Sequence, residues 1–252
     1  MKQPDPKRGR PKRTVLKQRE MQQETRHETP QEKPPAQHRA VLNKVYKTLF
    51  SSYGHQHWWP GDSPFEIMVG AILTQNAAWI NVERAIDNLK THACLSPQKI
   101  LATPAPQLAE WLRPSGYFNI KAQRLRNYCQ WYVDAGGLTA LSRCDTASLR
   151  QQLLSVNGVG PETADDILLY AFERPVFVID AYTRRLFSRL QLLEHDAGYE
   201  ALRQQFESGL KREASLYNEY HALIVRHVKQ VCRKRPDCTV CCLFTQCPYP
   251  KM

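Results

Sequence analysis

Leu153-Leu154-Ser155-Val156-Asn157-Gly158-Val159-Gly160-Pro161-Glu162-Thr163-Ala164 sets a tight two-glycine turn between two stretches of helix-forming residues. Pro161 falls where the second helix opens, a position at which a missing N–H costs nothing. The glycines allow positive φ and close approach to the backbone, while the free N–H groups at a helix start suit a phosphate. A bare Gly-x-Gly between helices is usually only a turn. With Leu-Leu before it and Thr-Ala after it, the segment reads better as a hairpin that grips DNA phosphates through Gly158, Val159 and Gly160.

Outward from the hairpin, apolar residues recur at helical spacing, broken by Pro and Gly, with few alternating β-branched runs. The pattern predicts an all-α fold. Ser63-Pro64-Phe65-Glu66 reads as a capping box with Pro at the first helical position, opening an apolar helix through Ile67, Met68, Ala71 and Ile72. Further helices are expected near 79–91, 104–113, 119–134, 146–155, 161–172, 181–191, 197–212 and 215–231. In the third of these, Ile120, Leu125, Tyr128, Cys129 and Tyr132 are read as one face, with Gly136 after its end. No fixed-period repeat is present.

At 252 residues the chain suits one or two domains and excludes a disulfide-stapled mini-protein. No apolar run approaches the roughly 18 residues of a membrane span. Met1-Lys2-Gln3-Pro4-Asp5-Pro6 leads into basic residues without the apolar core of a secretory signal. The expectation is a soluble protein of a reducing compartment, cytoplasmic and nucleoid-associated, whose eight cysteines are first read as thiols or metal ligands. A net charge of +11 favours a polyanionic partner over an acidic small substrate. The first 40 residues hold 11 Lys/Arg against 5 Asp/Glu. Residues 1–38 have almost no aliphatic side chains and cannot offset ordering entropy, so they read as a disordered basic tail. Within it Lys7-Arg8-Gly9-Arg10-Pro11-Lys12-Arg13 resembles an AT-hook, with Arg8, Gly9, Arg10 and Pro11 in a narrow minor groove. A solvated arm that holds any polyanion nonspecifically accounts for the same residues.

Three further features carry chemistry. Phe177-Val178-Ile179-Asp180 puts a carboxylate directly after an apolar run and before a helix, where an N-cap role alone would explain it. Trp58-Trp59-Pro60 and Trp79 are large rings that packing alone would also explain. Cys232, Cys238, Cys241 and Cys247, spaced C-x5-C-x2-C-x5-C, specify a metal centre in a reducing cell. Cys242 adjoins Cys241 and is not expected to be a ligand, and Cys94, Cys129 and Cys144 read as structural.

The hairpin followed by Asp180 resembles the helix-hairpin-helix DNA glycosylases of the endonuclease III superfamily. That resemblance implies that Asp180 is the catalytic carboxylate at the mouth of a damaged-base pocket. Bifunctional members carry a Lys two residues after the second hairpin glycine, whose amine attacks the sugar; here Glu162 stands there. The adenine-mismatch branch places a Glu acid in the helix opened by Ser63, where this chain has Gly70. What remains is similar to the 3-methyladenine DNA glycosylases, over most of 55–190. The matching stretches are Trp58-Trp59-Pro60, Gly70-Ala71-Ile72-Leu73-Thr74-Gln75-Asn76 with Trp79 and Asn81-Val82-Glu83, Arg113-Pro114-Ser115-Gly116-Tyr117, Asn119 with Lys121-Ala122, and Gly158-Val159-Gly160 with Glu162 and Ala164-Asp165. In that family such rings sandwich the flipped base, which implies a base pocket of Trp58, Trp59, Pro60 and Trp79. The physics agrees, because N-alkylated purines are cationic and electron-rich rings attract cations.

The resemblance also favours a [4Fe–4S] cluster on the four cysteines, many relatives ending in C-x6-C-x2-C-x5-C. The gap one residue shorter here keeps a four-cysteine zinc site open, and it leaves Arg233, Lys234 and Arg235 in a loop suited to phosphate. The expected organisation is a helical-barrel lobe over 64–167, and a second lobe joining 41–63 to 168–252 with the cluster loop at 232–247. The expected activity is hydrolysis of the N-glycosidic bond of alkylated purines in double-stranded DNA by a monomer with the damaged base flipped out. A bifunctional glycosylase/AP lyase acting on oxidised pyrimidines and a noncatalytic DNA-binding protein with a structural cluster are the alternatives.

Overall fold

Ser63 and Pro64 open the helix around which much of the chain is packed. The Ser63 hydroxyl accepts the Glu66 N–H at 3.2 Å, and every residue from Glu66 to Leu73 is buried. A computed structural model describes residues 35–58, 61–193 and 196–249. In it α1 (Pro35–Tyr53), α2 (Pro64–Leu73), α3 (Trp79–Thr91), α4 (Pro97–Ala102), α5 (Ala105–Trp111) and α6 (Phe118–Asp134) come first. They are followed by α7 (Gly137–Leu141), α8 (Thr146–Ser155), α9 (Pro161–Asp166), α10 (Ala181–Arg189), α11 (Tyr199–Gly209) and α12 (Ala214–Gln230). No strand occurs among the described residues, so the fold is all-α. α2 packs on α3, α6 and α9, while α12 packs on α1 and α10. Between them the run Val176-Phe177-Val178-Ile179 is buried and belongs to no helix. Phe177 stacks on Phe206 at 4.3 Å and meets Tyr217 and Tyr220 edge-on, which anchors the residue that follows the run, Asp180.

Four local features differ from expectation. Only half of the capping box forms, because the Glu66 carboxylate turns to Lys90 Nζ at 2.7 Å. Ile120 is not on the buried face of α6 but 53% exposed. Lys121, Ala122, Leu125, Tyr128 and Cys129 define that face, and at 3.6 residues per turn Ile120 falls on its far side. α1 begins at Pro35, inside the segment read as tail, since His38 reaches the Gln205 carbonyl at 3.2 Å and gains a tertiary partner. Finally, the helix after the hairpin widens at Ile167–Ala171 into a π turn, with the Phe172 N–H on the Ile167 carbonyl at 3.3 Å.

The hairpin is tied to α2 by one side chain. Gln75 Nε2 donates to the Gly158 carbonyl at 3.0 Å and to Thr163 Oγ1 at 2.9 Å, while its carbonyl accepts from Arg124. Gly158 has φ +97°, and a Cβ there would lie 2.3 Å from Arg124 Cγ, so both backbone angle and space demand glycine. Lys121, 1% exposed, donates to the Leu73 and Ser115 carbonyls at 2.8 and 2.6 Å. Its amine thereby satisfies an orphan carbonyl at the end of α2. Behind the hairpin, fully buried Asp165 accepts both arms of Arg150, at 2.6 and 3.1 Å.

Candidate active site

A cavity of about 520 Å³ opens between α2, α9, α10 and α12, and Trp58, Trp79, Glu162 and Asp180 all line it. Trp58 is brought there from α12: Glu219 accepts the Gln56 N–H at 2.8 Å and pairs with His55 Nδ1 at 2.9 Å, pinning the segment that carries the ring. Trp79 opens α3. A Cβ on Gly70 would stand 3.2 Å from the Trp79 ring, so the missing side chain at 70 is the socket for that indole. The indole N–H is held by Glu83 Oε1 at 2.9 Å. Trp59 and Pro60, and the tail residues Arg8, Gly9, Arg10 and Pro11, lie outside the described residues.

Asp180 caps α10, its Oδ1 accepting the Thr183 N–H at 2.7 Å, and its other oxygen faces His221 Nε2 at 3.5 Å. Burial pushes its carboxyl up, but the His221 ring and the Thr183 hydrogen bonds outweigh burial and hold it below its ordinary value. For His221 burial acts downward, and the charges of Asp180, Asp166 and Glu162 more than reverse it, raising the imidazole. Two further carboxylates line the cavity. Burial among neighbouring groups, opposed by the His221 charge and reinforced by nearby acids, raises Asp166 well above its usual range, and Glu162, although exposed to solvent, is raised by its packed surroundings and by Asp180. Asp166, Tyr170, Arg185, His221 and Lys229 were not singled out from sequence, yet all line this cavity. The one available signal was His221 itself, a histidine between Tyr220 and Leu223-Ile224 on a helix whose neighbours are apolar.

At the hairpin, the Val159 side chain is buried and its N–H donates to the Val156 carbonyl at 3.0 Å, which takes it out of the phosphate-facing set. Gly160 has open space above its Cα. Arg233, Lys234 and Arg235 are exposed. Their loop is buckled by Arg189, which donates to the Cys232, Arg233 and Lys234 carbonyls at 3.1, 2.8 and 3.1 Å and to Cys232 Sγ at 3.1 Å. Cys232, Cys238, Cys241 and Cys247 line one small pocket, and Cys242 does not. Among the described residues no three His, Cys, Asp or Glu donors converge as they would on a single metal ion. No described helix is long and apolar enough to cross a membrane.

An all-helical fold with a two-glycine hairpin, and a capped aspartate inside a cavity walled by tryptophans, defines a class of base excision enzyme. Residues 69–212 match the HhH-GPD superfamily of base excision DNA repair proteins, and the chain belongs to that superfamily as a DNA glycosylase. Within it, the chain is 50% identical over 204 residues to a protein of Methanocaldococcus jannaschii designated a DNA repair glycosylase, covering 80% of this chain and 93% of that one. Endonuclease III of Sulfolobus acidocaldarius is 29% identical over 187 residues, 73% of this chain and 82% of the relative. Among solved structures, the H. pylori 3-methyladenine DNA glycosylase bound to 1,N6-ethenoadenine aligns with a TM-score of 0.65 at 31% identity, over 77% of this chain and 97% of that one. An endonuclease III–DNA complex aligns with a TM-score of 0.72 at 20% identity, over 87% and 98% of the two chains, which speaks to fold.

Proposed function

We propose that this glycosylase hydrolyses the N-glycosidic bond of alkylated purines of the 3-methyladenine type, flipped out of double-stranded DNA by a monomeric enzyme. One observation carries the reading: Trp58, Trp79 and Asp180 line a single cavity large enough for a purine, with Glu162 where lyases of the superfamily have their amine. A cationic base stacks favourably on indole rings and is already a good leaving group. Asp180, ionised beside the sugar, then stabilises the positive charge that grows there as the bond breaks and orients the attacking water. Gly158, Gly160 and the exposed Arg233, Lys234 and Arg235 would grip phosphates on either side, across two lobes spanning 64–167 and 41–63 with 168–252. The resemblance to a 3-methyladenine DNA glycosylase at 31% identity supports this choice of substrate.

The cysteine cavity belongs to the same proposal. Four cysteines lining one shared pocket with the spacing C-x5-C-x2-C-x5-C, in a chain whose relatives include endonuclease III, favour a [4Fe–4S] cluster held by Cys232, Cys238, Cys241 and Cys247 over one zinc ion. Such a cluster would staple the basic loop and leave base release to Asp180. Anaerobically purified protein should be brown, with about four irons per chain. Colourless protein with one zinc would replace the cluster by the zinc alternative.

Lys229 gives the lyase alternative a specific footing, since it is exposed, lines the cavity and has no ion-pair partner among the described residues. The deciding experiment is base release from duplexes bearing 3-methyladenine, 7-methylguanine, hypoxanthine, thymine glycol or an abasic site, with and without alkali. Release of 3-methyladenine with strands intact until alkali is added supports the proposal. A borohydride-trapped covalent adduct on thymine glycol DNA would move the assignment to a lyase. Tight binding without release of any base would make this a noncatalytic DNA-binding protein.

A further inference from the structure

The carboxylate of Asp180 has two oxygens with different partners. Oδ1 is committed to the Thr183 N–H at 2.7 Å, so Oδ2 is the one left for chemistry, and it faces His221 Nε2 at 3.5 Å. That ring nitrogen is buried and has no hydrogen-bond partner in the described structure, and His221 is 6% exposed. The other ring nitrogen, Nδ1, is bonded to the hydroxyl of Tyr170, itself 6% exposed. An ionised Asp180 would repel a bare lone pair, so with Tyr170 on Nδ1 the proton sits on Nε2, toward Asp180, whether the ring is neutral or cationic.

Backbone geometry points the same way. Tyr170 lies within the π turn Ile167–Ala171, and such wide turns recur at functional sites because they re-aim side chains. We propose that His221, oriented by Tyr170, is a positioning residue that keeps Asp180 ionised and holds Oδ2 toward the cavity. This rests on Asp180 being the carboxylate that promotes base release.

The surroundings make such a residue necessary. α9 brings Glu162 and Asp166 to the same cavity, α10 brings Tyr182 and Arg185, with the charge of Arg184 also acting on Glu162, α12 brings Lys229 about two turns beyond His221, and α2 contributes only Ile67 and Ala71. Three acids in one partly dry cavity compete to shed charge, because a proton on any of them relieves repulsion among the others. Of the basic groups here, His221 is the one in direct contact with Asp180. Without it a proton would settle on Asp180 at higher pH, and a neutral carboxyl cannot stabilise a cationic sugar.

The test is single-turnover release of bases from methylated duplex DNA by the full chain, from about pH 5 to about pH 9. Wild type is compared with His221→Phe, His221→Gln and Tyr170→Phe, and circular dichroism checks folding. His221→Phe should move the acid limb upward, losing about tenfold at the acid end for each unit of displacement, and should recover toward wild type in alkali. His221→Gln, whose amide can still donate to Oδ2, should move it less. Tyr170→Phe should move it in the same direction by a smaller amount, and with His221→Gln it answers the question if the Phe variant fails to fold. A uniform loss at every pH in folded variants, or an acid limb that stays in place, overturns the proposal. Asp180→Asn separates the layers: wild-type release by that variant would mean that Asp180 itself was misassigned.

Discussion

α9 presents two faces built on opposite principles. On one, Asp165 is fully buried and neutralised by Arg150, with Arg203 3.8 Å away. On the other, Glu162 and Asp166 face the cavity beside Asp180 with no cation bonded to either among the described residues; burial raises all three carboxyls, so it is the Arg150 pair that separates the two faces. The same residue type is tied into the frame where its charge is matched and faces the cavity where it is left unmatched. Matching stabilises the fold, while unmatched acids cost stability and persist where a substrate supplies the missing charge.

Five changes would break or sharpen this contrast. Asp165→Asn and Asp180→Asn should fail in different ways. The first should cost about 3 kcal/mol of stability, the low end for breaking a buried pair because Glu200 still meets Arg150 at 2.6 Å, with normal base release by the folded fraction. The second should cut base release by about 10²–10³-fold while melting almost normally, because asparagine also caps helices. Denaturant titration alongside single-turnover kinetics reads both, and a swap of the two phenotypes would end the comparison. Trp79→Ala should weaken capture of alkylated duplex by about 1–3 kcal/mol through lost stacking, measured as a Kd ratio against undamaged DNA.

Asp166→Asn carries the sign test. A carboxyl raised in the folded state loses stability as pH rises from its ordinary value through its folded one, so this variant should gain up to about 1 kcal/mol at neutral pH, or ~2–4 °C in Tm. Near pH ~3.9 the gain should vanish. A lower Tm at pH 7 would place Asp166 with Asp165 as scaffold. Least affected should be catalysis by a chain lacking residues 1–34, which leaves α1 whole. It should bind less tightly at low salt with the same ranking of lesions, checked by the salt dependence of Kd.

How much of this was legible in sequence depended on the distance over which a signal acts. The hairpin, the Asp180 cap and the helix at Ser63 rest on neighbours within four residues, and all three formed. The cysteines could be grouped because their spacing is local, and they line one cavity. His221 and Tyr170 stand 51 residues apart and meet only because a helix changes register, which no propensity encodes. Ile120 was misplaced since apolarity outweighed phase, and the buried slot went to Lys121, whose amine had carbonyls to satisfy. Gln75, Lys121 and Asp165 belong to the stretches that match the family, and each is consumed by hydrogen bonds that hold the frame.

The amide of Gln75 works as a mechanical coupling. Its two ends join the tip of α2 to a hairpin 83 residues away, and Arg124, jammed against Gly158, removes the slack. Immediately beyond Gln75 come Asn76, Ala77 and Ala78, which form the lip of the cavity. A strand pulling on the hairpin would therefore be felt next to the cavity lining, because the same amide is fastened at both places. Gln75→Glu, which keeps the size and loses the donors, should unlatch both ends together. The expected signature is faster amide exchange at 74–78 and 158–163 in step, and loosening confined to one end would show that the two are not geared.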